Sequence, residues 1–273
     1  MGSSVPTAPA RTTTLKILSG ILRPSSGTTQ VAGYLPSKRD RRYLSQIALV
    51  MGQKNQLWFD LPAIETFELN RAIYEIPKKR YKKTLDELVE LLEMKDYLRT
   101  QVRRLSLGQR MRMELIASLL HQPKVIFLDE PTIGLDIIAQ QKIRDFVAAY
   151  NRTHKATILL TSHNMDDVAN LAKRVIVINM GKIVFDGDLA ELVAGYTRKK
   201  VIKARISGNI DYKKLEKIGE VGRVNLPEVE IIVPRKAVEK AAVELLQNFV
   251  VEDLTIEVEP IENIIARVFR SEK

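Results

Sequence analysis

Val125-Ile126-Phe127-Leu128-Asp129-Glu130-Pro131 is an apolar run that ends in two carboxylates. Four consecutive apolar residues, bounded by Pro123 upstream, suit a strand covered on both faces by helices. Open α/β sheets bind ligands at the carboxyl ends of such strands. There one carboxylate can hold Mg²⁺, directly or through water, while its neighbour orients a water for attack on a phosphoryl group. Taken alone, Asp129 capping the following turn is an equal reading.

Outward from this stretch the chain alternates short β-branched runs with helix-period segments over residues 12–200, the pattern of an α/β fold with a parallel sheet. Ile47-Ala48-Leu49-Val50, Thr157-Ile158-Leu159-Leu160-Thr161 and Val175-Ile176-Val177-Ile178 read as further strands. Residues 65–120 are helix-period throughout and read as an inserted helical lobe. Met180-Gly181-Lys182 and Phe185-Asp186-Gly187 punctuate a hairpin. Near Arg198 the composition shifts, which sets the expected division at residues 12–198 and 199–273. The second unit reads as a small α+β appendage. Its strands are expected at 201–206, 229–233 and 254–258. One helix carries Ala237, Val238, Ala241, Ala242, Leu245, Leu246 and Phe249 on one face, and another is expected over 261–269.

Composition narrows the classes. The chain has 273 residues, no Cys, and 43 Lys+Arg against 33 Asp+Glu. The absence of Cys excludes a disulfide scaffold and a thiolate-held metal, and fits a reducing compartment. No run approaches the roughly 18 apolar residues a membrane span needs, and Met1-Gly2-Ser3-Ser4 has no apolar signal core, so a soluble intracellular protein is expected. Residues 201–273 hold 12 basic and 13 acidic side chains, so residues 1–200 hold 31 and 20, a net charge of +11. The basic runs are Lys38-Arg39-Asp40-Arg41-Arg42, Lys78-Lys79-Arg80-Tyr81-Lys82-Lys83 and Arg198-Lys199-Lys200. They read as solvated loops or as attraction to an anionic membrane surface. No aromatic stacking pattern accompanies them, so nucleic acid is not an expected partner.

Four further elements fall in order around the two carboxylates. Leu105-Ser106-Leu107-Gly108-Gln109-Arg110 runs directly into an amphipathic helix, and Ser106 lies 23 residues before Asp129. A Ser, a Gly and free N–H groups at a helix N-terminus make an anion site, although Ser106 alone reads first as an N-cap. Gly134-Leu135-Asp136 follows the carboxylates. Thr161-Ser162-His163 closes the next strand, where His163 could sense a γ-phosphate. Gln53, just after the strand at 47–50, can reach a metal or a water.

In that order and at those spacings, the five elements resemble the nucleotide-binding subunits of ABC transporters over residues 12–190. Gln53 is similar to the Q-loop, residues 105–109 to the signature motif (with Leu107 where Gly is usual), and residues 125–130 to Walker B plus the catalytic glutamate. Asp136 is similar to the D-loop aspartate and His163 to the switch histidine. The resemblance implies a P-loop NTPase fold and an ATP-hydrolysing subunit that uses ATP and Mg²⁺. Glu130 and His163 would be catalytic, and Thr12, Gln53 and Asp129 would serve the metal. Arg11, Thr12, Thr13 and Gln53 would meet the phosphates. It also implies a second ATPase subunit whose nucleotide is completed by Ser106, Gly108 and Gln109. A membrane-spanning permease would dock on the helical lobe near Trp58-Phe59. The C-terminal appendage looks most like that of exporter ATPases, peripheral on the cytoplasmic face of the cell membrane.

The chain departs from the family where a Gly-rich phosphate loop ending Gly-Lys-Thr should precede the helix expected to start at Thr12. Val5-Pro6-Thr7-Ala8-Pro9-Ala10-Arg11 stands there instead. Ala8 and Ala10 replace glycines, Pro9 removes an N–H, and Arg11 is no geometric equivalent of Lys. Codons for Gly-Pro-Asn-Gly-Ala-Gly-Lys read one base later give Val-Pro-Thr-Ala-Pro-Ala-Arg, which is residues 5–11. The expectation is that residues 1–11 are an out-of-frame translation of an ordinary phosphate loop. The alternative is a truncated remnant that no longer binds ATP productively.

Overall fold

The structure, a computed structural model, describes residues 8–196, 199–208 and 210–258. The backbone divides into two compact units, Met1–Ala172 and Lys173–Lys273. The division thus comes earlier than the composition shift near Arg198, because the hairpin that follows Ala172 groups with the C-terminal unit.

In the first unit, β1 (Ile47–Met51), β2 (Val125–Asp129) and β3 (Thr157–Thr161) form a parallel sheet in the order β1-β2-β3. The register pairs Met51 with Asp129 and Asp129 with Thr161, so all three carboxyl ends finish level. Strand period 2 splits the core in two. Ile126 and Leu128 of β2 join a large cluster with Ala48 and Val50. Phe127 points the other way, onto Leu15, Tyr43 and Ile47. Leu15 belongs to α1 (Ala8–Leu18), and Tyr43 to the short α2 (Arg41–Leu44). Helix α1 starts four residues before the Thr12 expected from sequence. Pro9 is tolerated there because a first-turn N–H has no intrahelical partner to lose.

The large cluster is completed by α3 (Ala63–Ile73), α4 (Lys78–Leu91), α5 (Leu107–Leu119) and α6 (Ile137–His154). The lobe expected as helical throughout residues 65–120 is three helices with a stretch of turns and two 3₁₀ segments, Lys95–Tyr97 and Val102–Arg104, before α5. Helix α4 buries Tyr81, Thr84, Leu85, Leu88 and Val89 on one face. Its basic run at residues 78–83 therefore lies on a helix surface, where the sequence suggested a loop. The short α7 (Met165–Leu171) follows β3.

The C-terminal unit begins with β4 (Arg174–Asn179) and β5 (Lys182–Asp188), an antiparallel pair joined at Met180 and Gly181. Both turn residues have positive φ, 46° and 80°, as a two-residue hairpin turn requires. The sequence reading of Val175-Ile176-Val177-Ile178 as a doubly covered strand is corrected: β4 pairs only with β5, and of its residues only Val177 is buried. After α8 (Leu189–Tyr196) come β6 (Lys199–Ser207), α9 (Tyr212–Ile218), β7 (Glu220–Asn225), β8 (Glu228–Pro234), α10 (Val238–Asn248) and β9 (Val250–Val258). The sheet order β7-β8-β6-β9, all antiparallel, makes this a βαββαβ split unit of the ferredoxin-like kind. Ile202, Ala204, Val229, Ile231 and Val233 on one sheet face pack against Leu215 of α9 and Ala241 and Leu245 of α10. The helix expected over 261–269 lies outside the described residues.

Phe67 of α3 has no exposed surface within the first core. Phe67→Ala is expected to lower the stability of this unit by about 3–5 kcal/mol, read from its urea midpoint.

Candidate functional site

The level carboxyl ends of β1, β2 and β3 gather the first group of side chains. Asp129, the last residue of β2, is buried; its Oδ1 accepts the hydroxyl of Thr161 at 2.6 Å and that of Thr12 at 3.1 Å. Its carbonyl accepts the N–H of Gly52, the residue just after β1, at 2.8 Å. A Cβ on Gly52 would stand 2.0 Å from the carbonyl oxygen of Glu130, so only glycine lets the loop after β1 close against β2.

Glu130 adopts φ +53°, a left-handed conformation that costs a non-glycine residue roughly 1–2 kcal/mol. Its N–H donates to the carbonyl of Thr161. This turn sends its side chain across the sheet end to His163, whose Nδ1 is 2.6 Å from Oε2 and whose backbone N–H donates to the same oxygen at 3.2 Å. Strain held by surrounding structure is a property of functional sites. Arg11, on α1, donates from Nη1 to the carbonyl of Ser162 at 3.0 Å. Arg11, Thr12, Asp129, Glu130 and His163 thus form one cluster. Thr13 is exposed on α1, and Gln53 is exposed on the loop after β1, with no hydrogen bond among the described residues.

The remaining sequence-predicted residues form a second group at two helix starts. Ser106 N-caps α5 in a reciprocal capping box: its Oγ accepts the Gln109 N–H, and the Gln109 side chain accepts the Ser106 N–H at 2.9 Å. Asp136 N-caps α6 through the Ala139 N–H at 2.8 Å. A Cβ on Gly108 would lie 2.9 Å from that of Ala139, so the two helix starts touch at Gly108.

A buried network that sequence reasoning missed lies behind His163. Asp167 has no exposed surface; it receives Arg144 Nε at 2.7 Å, the Thr132 hydroxyl at 2.5 Å and the Ser162 hydroxyl at 2.8 Å. Ser162 Oγ in turn accepts the Asn164 N–H, so the residues on both sides of His163 are held. Gln140 extends the network. Its Oε1 accepts from Arg144 and Asn164, and its Nε2 donates to the carbonyl of Leu135, beside Asp136. The missed signal was Arg144 itself, a charge on the same helical face as Ile143 and Val147; a buried charge demands a partner.

The donors Thr12, Gln53 and Asp129 are hydroxyl, amide and carboxylate oxygens, a set that suits a hard divalent cation. No group of three or more His, Cys, Asp or Glu able to hold a metal occurs among the described residues. Mg²⁺ bound alongside phosphates uses one or two carboxylates and keeps several waters, so a single Asp129 with a neighbouring hydroxyl fits that mode.

The family model described as "ABC transporter" matches residues 11–133, and that described as "EvrA-like ABC transporter, C-terminal domain" matches residues 198–257. The chain is 31% identical over 182 residues to the ABC transporter ATP-binding protein NatA of Bacillus subtilis, covering 67% of this chain and 74% of that one. It is 33% identical over 189 residues to the daunorubicin resistance ATP-binding protein DrrA3 of Streptomyces coeruleorubidus, covering 69% of this chain and 59% of that one. In fold it is similar to cbiO1 from Clostridium perfringens, described as part of the ABC transporter complex cbiONQ. That likeness has a TM-score of 0.59 and 24% identity, over 67% of this chain and 74% of the other. The chain belongs to the ATP-binding proteins of ABC transporters, a family of ATPases with the P-loop NTPase fold. Members of this family hydrolyse ATP to drive transport.

Removing Asp167 takes from Arg144 its buried carboxylate partner and leaves only the exposed Asp166 at 3.9 Å. Asp167→Ala is expected to cost about 3–5 kcal/mol in chemical denaturation, the penalty for a buried ion pair that loses one partner.

Proposed function

We propose that this chain is the ATP-hydrolysing subunit of an exporter, in which Glu130 activates the attacking water and Asp129 holds the Mg²⁺ shell. The observation that carries the reading is the pairing of Glu130 with His163 at the level ends of β1, β2 and β3, beside Asp129 and Thr12. When bound, MgATP supplies the phosphoryl group and the charge that offsets negative charge developing on it. The Glu130 carboxylate would accept the water proton on Oε1, since Oε2 is the oxygen that His163 holds. His163 fixes its orientation through two hydrogen bonds and takes part of its charge. Arg11, Thr12 and Thr13 on α1 would meet the phosphates, and Gln53, exposed on the loop after β1, would reach the metal.

A second ATPase subunit is part of the proposal. Ser106, Gly108 and Gln109 would complete the partner's nucleotide site, and Asp136 would lie at the joint. Ile137 and Ile138, 81% and 72% exposed directly after Asp136, support a covered surface there. A permease is the other partner, and exposed Trp58, Phe59 and Leu61 beside the helical lobe offer it an apolar contact. No helix among the described residues is long and apolar enough to cross a membrane. Attachment at the cytoplasmic face would therefore run through the permease. The names of relatives in daunorubicin resistance and bacitracin transport support the exporter direction. Residues 199–273 act as an accessory domain in this reading, residues 12–198 as the ATPase domain.

Glu130→Gln keeps the side-chain shape and removes the base. Its ATP turnover is expected to fall by at least about 10²-fold, while the affinity for ATP, measured by equilibrium titration, stays within about twofold. Turnover equal to that of the parent excludes the assignment.

A further inference from the structure

Glu114 is a buried carboxylate that the proposed reaction does not use. It lies on α5, only 3% exposed, where that helix meets β1. Its Oε1 accepts the backbone N–H of Gln56 at 2.7 Å and that of Leu57 at 3.3 Å, while Oε2 is buried without a partner. Gln56 returns the contact to the sheet, its Nε2 donating to the carbonyl of Leu49 at 2.9 Å. At its other end, the same loop is tied by Gly52 to the carbonyl of Asp129. Residues 52–57 are therefore fastened at the start to the end of β2 and at the exit to α5.

A carboxylate with one oxygen left bare in the interior is a costly way to fill space, since an amide or an apolar side chain would fill it with less desolvation. Its geometry is that of a tether between two elements. The helix it sits on begins at Ser106, and the loop it holds carries Gln53. We propose that Glu114 is a positioning residue: it clasps the exit of the Gln53 loop to the helix that starts at Ser106, so that displacement of one is transmitted to the other. What the two elements carry rests on the ATPase reading; the clasp itself rests on these contacts alone.

The clasp also senses protons. Burial pushes the Glu114 carboxyl up to about 7, against the lowering by the Gln56 and Leu57 N–H groups and by Arg110. Arg110, one turn earlier on α5, is the charged group that faces it, and its guanidinium stands 5.3 Å from the ring centroid of Phe59. From the loop, whose Lys54 is exposed, the two N–H groups and Asn55 come closest; Asn55 Oδ1 also accepts from Leu57. Above neutrality the bonds from Gln56 and Leu57 are charge-assisted; below it the neutral carboxyl accepts them more weakly.

The chain's single tryptophan, Trp58, follows the clasped Leu57 directly and reports on it without nucleotide. Trp58 emission followed from about pH 5.5 to about 8.5 is expected to show one transition centred near 7 in the parent. Glu114→Gln, which keeps an acceptor oxygen but cannot ionise, is expected to show none. In hydrogen exchange above neutral pH, Glu114→Ala is expected to speed the Gln56 and Leu57 amides by about tenfold or more. The acceleration should extend to the first turn of α5 and leave β3 unchanged. A transition that persists in Glu114→Gln, or a parent that shows none, overturns the proton-sensing clasp. Faster exchange confined to the loop overturns the transmission to α5. Because neither measurement uses ATP, both stand apart from the turnover test of Glu130.

Discussion

The structure depends on the level finish of three parallel strands around the Asp129 carboxylate. Parallel register sets Met51, Asp129 and Thr161 side by side, and the peptide groups just beyond them close the arrangement: Gly52 onto Asp129, and Glu130 onto Thr161. A carboxylate taken out of water needs hydrogen-bond donors, and here the hydroxyls of Thr12 and Thr161 supply them. Each residue of the candidate site takes its place from this end plane. Thr12 reaches it from α1, Glu130 leaves it through a left-handed turn, and His163 meets Glu130 from the end of β3.

Behind the plane, a second layer of polar contacts restricts what can move. Asp167 holds Thr132 and Ser162 together, and its own charge is balanced by Arg144. Since Gln140 joins that network to Leu135, the segment bearing Asp136 and the segment bearing His163 share one rigid support. A fully satisfied buried network of this kind specifies a single arrangement of the loops it carries. Glu114 makes the corresponding connection on the other side, between the loop after β1 and α5. The two connections differ in one respect: the Asp167 carboxylate has partners on both oxygens, whereas Glu114 has partners on one.

Much of the first unit was legible in the sequence. Ile126-Phe127-Leu128 announces a central strand because all three are apolar and both faces of β2 are covered. The amphipathic period of α4 is as plain, with Leu85, Leu88 and Val89 on one side and lysines on the other. Less legible were α9 and β7. A helix of seven residues spans about two turns, too few for periodicity to stand out, and β7 has only Val221 and Val224 half-buried, with no apolar run. Val175-Ile176-Val177-Ile178 misled for the opposite reason. An apolar run reads as a covered strand, yet β4 belongs to a hairpin with only Val177 buried.

What the sequence by itself determined was the chemistry available: two carboxylates after an apolar strand, a capped helix start at Ser106, and a histidine after the next strand. Those are local facts, carried by residue type and spacing. Only the tertiary structure decided which of them meet. Thr12 and Asp129, 117 residues apart, share a hydrogen bond, and His163 turns to Glu130 across 33 residues. The Asp167 and Glu114 networks likewise join segments that no local pattern connects. The reason is physical: strand register and the burial of charge are set by packing between distant segments, and a polar residue in an apolar helix face names the need for a partner without naming the partner.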